Sequence, residues 1–203
     1  MLFKPMPILQ SKTINIFSIP LDIVIPMLDN DTISELKVLE NPKFSRYVKL
    51  ALEDEEFLRS LISGVESEDW LLRWGISTVV VQVSKRKPEL LKEDIPLLIS
   101  RVLYEDHRMV RDNIAQSLLH LSHFIPKDFV AHDAAPAFIQ YLKKGEDHER
   151  FDAIQLMGNI VSVAPEFVKG HLSLIQHAAD DIDNPLVKHQ AERVFNSIRS
   201  KLQ

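Results

Sequence analysis

His120 and His123 stand three positions apart, a spacing at which one helix can offer two imidazoles to a metal ion. Two imidazoles do not make a site, because a third ligand and an orienting outer partner are needed. His132 or Asp133 could approach from the segment that follows, but nothing in the sequence demands it. No metal and no cofactor are expected. The basic cluster Lys85-Arg86-Lys87 falls at the end of a helical pattern, where cations meet the negative end of the helix dipole. The acidic run Glu53-Asp54-Glu55-Glu56 opens another, where it complements the positive end. The 203 residues contain no cysteine, which excludes a thiol nucleophile, a zinc ribbon and a disulfide scaffold.

The charge balance narrows the partners. At a formal charge of −5, the chain has no global field that would draw it to nucleic acid or to an anionic membrane. A composition 45% hydrophobic and 26% charged is that of an ordinary globular protein. No apolar run approaches the roughly 20 residues that span a bilayer. Lys12, Pro20, Asp22 and Pro26 interrupt any signal-peptide core, so a cytoplasmic protein is the expectation.

The elements that must position these side chains come from a repeat. Arg73, Arg111, Arg150 and Lys188 stand 38, 39 and 38 positions apart (73 to 111, 111 to 150, 150 to 188). Apolar residues follow each at offsets 3, 6, 7 and 10, which lie on one helical face: Ile76, Val79, Val80 and Val83 in the first copy. The same offsets give Ile114, Ser117, Leu118 and Leu121, then Ala153, Leu156, Met157 and Ile160, then Ala191, Val194, Phe195 and Ile198. Pro88, Pro126 and Pro165 follow at offset 15 and end three of these helices, since proline lacks the N–H that the ladder needs. A second class of helix lies between them. Its faces are Ile95, Leu98, Ile99 and Val102; Ala135, Phe138, Ile139 and Leu142; and His171, Leu174, Ile175 and Ala178, with His171 half-buried and hydrogen-bonded. One helix pair per period of about 40 residues is the signature of an all-α solenoid.

Residues 1–53 depart from the period. Pro5, Pro7, Pro20 and Pro26 oppose a long helix and leave an N-terminal arm, with a short extended piece over Thr13–Phe17 and a brief helix over Pro20–Leu28. Asp31 is placed to cap Thr32–Leu39, and Asn41 with Pro42 to start Lys43–Leu52. Phe57, Leu58, Leu61 and Ile62 form the buried face of the next helix. Residues 1–53 are thus an arm and a degenerate cap, and residues 54–203 hold about four regular units continuous with it as one domain.

The order within a unit is a helix with a central Pro, an acidic turn, then a helix opening with Val-Arg. It occurs as Pro96, Asp106, Val110, Arg111, then as Pro136, Asp147, Arg150, and more weakly as Asp183, Val187, Lys188. This resembles HEAT repeats over about Asp54–Gln203, with Glu149 in place of Val in the third unit and no central Pro in the last. The resemblance implies a right-handed α-α superhelix of helical hairpins, with the Pro helices outside and the Val-Arg helices lining a concave groove. It also implies scaffold or adaptor work, holding another protein along that groove.

On that reading the groove is lined at offset 1 by Trp74, Asp112, Phe151 and His189. Offset 5 gives Thr78, Gln116, Gln155 and Arg193, and offset 9 gives Gln82, His120, Asn159 and Ser197. Neutral hydrogen-bonding groups beside two large aromatics suit protein recognition. Trp74 and Phe151 can equally pack on neighbouring repeats. The alternative function is a HEAT-like DNA glycosylase or other repair module, with Trp70, Trp74 and Asp112 at the lesion. The groove columns carry only Arg193 and, at offset 12, Lys85 as firm positive charges, whereas phosphate binding needs several. Nucleic acid is therefore not the expected partner. His148-Glu149 is similar to the dyads of the HEAT-like deoxyhypusine hydroxylases, which use several to hold two irons; this chain has one.

Overall fold

The computed structural model describes residues 28–38 and 43–203, and all regular structure among them is helical. The α-helices are α1 (Asn30–Leu36), α2 (Phe44–Glu53), α3 (Glu55–Ser63), α4 (Trp70–Arg86), α5 (Ile95–Tyr104) and α6 (Arg108–Phe124). They continue as α7 (Pro126–Ala131), α8 (Ile139–Lys144), α9 (Asp147–Ile160), α10 (Pro165–Gly170), α11 (Leu172–Asp180) and α12 (Pro185–Lys201).

Helix ends follow local chemistry. Asp54, the second residue of the acidic run, accepts a hydrogen bond from the Phe57 N–H at 3.0 Å and caps α3. Asp69 does the same for α4, and Asn184 for α12. Pro126 and Pro165 occupy the first positions of α7 and α10, where a missing N–H costs nothing.

Several boundaries differ from expectation. The cap of α1 is Asp29, whose carboxylate accepts the Thr32 N–H at 2.7 Å; Asp31 lies in the first turn instead. The start of α2 is Phe44, with Asn41 and Pro42 outside the described residues. Outside them too are Thr13–Phe17 and all of Pro20–Leu28 but its last residue. The prolines expected midway along the outer helices are not there. Pro96 lies in the first turn of α5, after a 3-10 stretch over Pro88–Asp94, and Pro136 lies in a 3-10 turn, Ala135–Phe138, that precedes a short α8. A first turn tolerates proline because its amides have no intrahelical acceptor.

The four repeat helices pack in sequence, α4 on α6, α6 on α9 and α9 on α12. Against them lie α5 on α6, α8 on α9 and α11 on α12, while α2 joins α3 to α4. One apolar cluster runs through the chain from Leu36 to Ile198. It takes in Ile76, Val79, Val80 and Val83 of α4 and their counterparts in α6, α9 and α12, apart from the buried Ser117 and the half-buried Val194. Two close approaches depend on glycine. A Cβ on Gly75 would lie 2.0 Å from the Leu36 carbonyl oxygen, so α1 can cross α4 only there. On Gly158 it would meet Val194 at 3.0 Å, where α9 touches α12.

Candidate functional site

The basic residues that mark the repeat face the loops, and each has partners there. Arg73 forms a two-pronged pair with Glu105, with Nε and Nη2 each 2.8 Å from a carboxylate oxygen, and donates to the carbonyls of Ser67 and Glu68. The Glu105 side chain is fully buried. Burial pushes its carboxyl up, but the Arg73 guanidinium and the His107 N–H outweigh that and hold it below the usual carboxylate range. Arg111 reaches the Glu105 carbonyl and approaches Glu149 at 3.6 Å. Arg150 and Lys188 donate to the carbonyls of Asp181 and Asp180. The repeat cation is thus a loop-holding group.

A second repeated feature joins neighbouring repeat helices. Ser84 and Ser122, both fully buried, stand at offset 11 of α4 and α6. Ser84 Oγ lies 3.0 Å from His120 Nδ1, and Ser122 Oγ accepts a hydrogen bond from Asn159 Nδ2 at 3.0 Å. Two members of the offset-9 column therefore bridge helices as well as facing outward. Asn113 adds bonds from α6 to Ser77 and Thr78 of α4. Sequence reading missed the two serines, although their shared offset was a visible signal.

Past these bridges the C-terminal ends of α4 and α6 border an open cleft of about 780 Å³ whose other sides are α9 and α12. Its lining contains six of the expected groove residues: His120, Phe151, Gln155, Asn159, Arg193 and Ser197. Four more side chains matter to it. Lys85, His123 and Phe124 come from the ends of α4 and α6, and Lys201 from the end of α12. Phe124 is 49% exposed although it is a large apolar side chain. Among the described residues, no Asp or Glu lines the cleft. Burial, then the nearby charges of Lys85 and His123, hold the His120 imidazole below its ordinary pKa, which favours its neutral form.

The remaining expected groove residues lie elsewhere. Trp74 is half-buried with its ring edge-on to Phe44 at 5.6 Å, and packs on the core. Thr78 donates to the Trp74 carbonyl and accepts from Asn113. Gln82 is half-buried, whereas Gln116 and His189 are exposed. Asp112 pairs with Arg108 at 3.6 Å and lies 3.7 Å from His148. Trp70 stacks on His107 at 3.9 Å. Asp112, His148 and Glu149 could offer ligand atoms within 4.8 Å of one another. The two carboxylates already face Arg108 and Arg111, and Glu149 also accepts the Glu146 N–H, closing a capping box at the start of α9. Beside them burial raises the Asp152 carboxyl to about 6, with Asp112 and Glu149 adding to the rise and His148 opposing it.

No family model matches the chain, and no curated protein matches it. Among solved structures, two crystal structures of engineered proteins from the Northeast Structural Genomics Consortium are similar. One has a TM-score of 0.59 at 14% identity, covering 84% of this chain and 88% of its own. The other has a TM-score of 0.60 at 16% identity, covering 87% and 88%. At such identities the likeness is one of fold alone, an all-α packing of helices.

Proposed function

We propose that the chain is a short HEAT-like solenoid, a right-handed superhelix of about four helical hairpins, that works as a non-enzymatic scaffold or adaptor. It holds a segment of another protein in the cleft between α6, α9 and α12. The observation that carries this reading is the lining itself. The exposed ring of Phe124 and the half-buried ring of Phe151 stand beside the amides of Gln155 and Asn159, in an open cleft of about 780 Å³. Amide side chains can bond an irregular backbone without desolvating a full charge, and aromatic rings supply the anchoring area. The repeated helix order and the loop-holding cations support the solenoid. A photo-crosslinking residue placed at Gln155 should join a protein partner in native lysate, whereas one at the exposed Gln140 of α8 should not. Crosslinks from Gln140 alone would move the interface to the other helices.

The second reading, a HEAT-like DNA glycosylase or repair module, draws support from the cations in the same cleft. It is weaker because Trp70, Trp74 and Asp112 line no part of that cleft. Three or so phosphate contacts also give little affinity at physiological salt. A sub-micromolar duplex complex at about 0.15 M salt in a gel shift would reverse the ranking.

A further inference from the structure

The cleft's charge identifies what kind of segment it takes. Lys85, Arg193 and Lys201 are exposed and line it, from the end of α4 and from the middle and end of α12. None of the three forms an ion pair among the described residues. The chain has 29 acidic residues against 24 basic ones, so a lining with three cations and no carboxylate runs against its own composition. Like charges gathered without counter-charges repel one another, and an anionic ligand relieves that repulsion. The apolar surface of Phe124 and Phe151 lies among them.

We propose that the cleft binds an acidic peptide segment that carries a bulky apolar side chain, its carboxylates facing Lys85, Arg193 and Lys201 and its apolar group on Phe124 and Phe151. This rests on reading the cleft as the partner-binding site. Inorganic anions and nucleic acid would meet the same cations. An extended peptide also uses the amides of Gln155 and Asn159 and the exposed ring of Phe124, whereas duplex phosphates have no use for an apolar wall. The net negative charge of the whole molecule opposes long polyanions and leaves a short acidic segment as the better match.

The test is selection from a displayed library of random twelve-residue peptides against the full chain, run in parallel against Lys85→Gln/Arg193→Gln and against Phe124→Ser. All three sites are exposed, and melting curves check that each variant folds. The expected result is enrichment of peptides rich in Asp and Glu with one Leu, Phe or Trp. Synthetic copies should bind at least tenfold more weakly to either variant and lose affinity as salt rises. Enrichment of neutral or basic peptides that still need Phe124 would overturn the acidic partner and leave the groove reading intact. Enrichment indifferent to both variants, or none at all, would overturn both. Competition of the selected peptides by duplex DNA at lower concentration than by free peptide would give the cleft to nucleic acid.

Discussion

The cations of this protein fall into two regions that behave in opposite ways. Along the loops, Arg73, Arg111, Arg150 and Lys188 meet a carboxylate, a carbonyl or both, and Glu105 is buried to complete the set. In the cleft, Lys85, Arg193 and Lys201 have no such partners among the described residues. The first arrangement fixes one repeat on the next, since a buried charge without its partner is costly. The second contributes little to folding and stays available to something outside the chain. The same side-chain types thus hold the fold in one place and, on the reading proposed above, meet a partner in the other, and what separates them is whether the counter-charge lies within the fold.

The comparison breaks most sharply at Glu105. Glu105→Ala leaves the Arg73 guanidinium, itself largely buried, without its carboxylate. Urea unfolding should show a loss of about 3–5 kcal/mol. A loss below about 1 kcal/mol would mean that the pair behaves as a surface bridge and that the loops are held by carbonyls alone. Asp152 differs from the matched carboxylates, with no ion pair among the described residues and burial as the main cause of its raised pKa. Its folded pKa, about 6, lies above its ordinary 3.8. The fold therefore favours the protonated form, and the stability this gives is complete below about pH 4 and lost as pH rises through 6. Asp152→Asn should raise stability at pH 7 by about 3 kcal/mol and leave it nearly unchanged at pH 4. Equal effects at both pH values would show that the carboxyl is solvated.

A smaller effect is expected where the two regions meet. Ser122→Ala removes the acceptor of Asn159 and leaves only the longer contact to the Leu119 carbonyl at 3.5 Å. A loss of about 1–2 kcal/mol should follow, and amide hydrogen exchange should quicken along α6 and α9. Unchanged exchange would mean that the serine ladder is not what sets the spacing between those helices.

The apolar offsets of the repeat were legible because helical periodicity and burial are local consequences of residue type. Ile76, Ile114, Ala153 and Ala191 are all fully buried, as offset 3 requires. Phe195 is 7% exposed despite its place near the terminus. His171 is half-buried with Nδ1 2.8 Å from the Phe167 carbonyl, as its apolar slot suggested. The site was legible only in part. Offsets 1, 5 and 9 name residues on one side of each helix, but say nothing of how far neighbouring helices stand apart. Trp74 meets Phe44 of α2 edge-on, whereas Phe151 and Gln155 line the cleft, a difference that the columns do not carry. Lys201 and Phe124 enter from helix ends, at positions that these three columns do not sample. Lys85 was visible both as a cation at a helix end and at offset 12 of the groove columns, but that no Asp or Glu among the described residues lines the cleft with it depends on the other helices.

The smallest effect is the most informative about the division between regions. Lys85→Gln and Arg193→Gln remove two charges from exposed positions that have no ion pair, so each should change unfolding free energy by no more than about 0.5 kcal/mol. If the cations repel one another as their placement implies, the double variant should be level with or slightly more stable than the parent at low salt. That difference should fade at about 1 M salt, where the screening length falls to about 3 Å. Loss of more than about 1 kcal/mol in either single variant would show that the cleft cations hold the fold as the loop cations do. The distinction between the two regions would then have no basis.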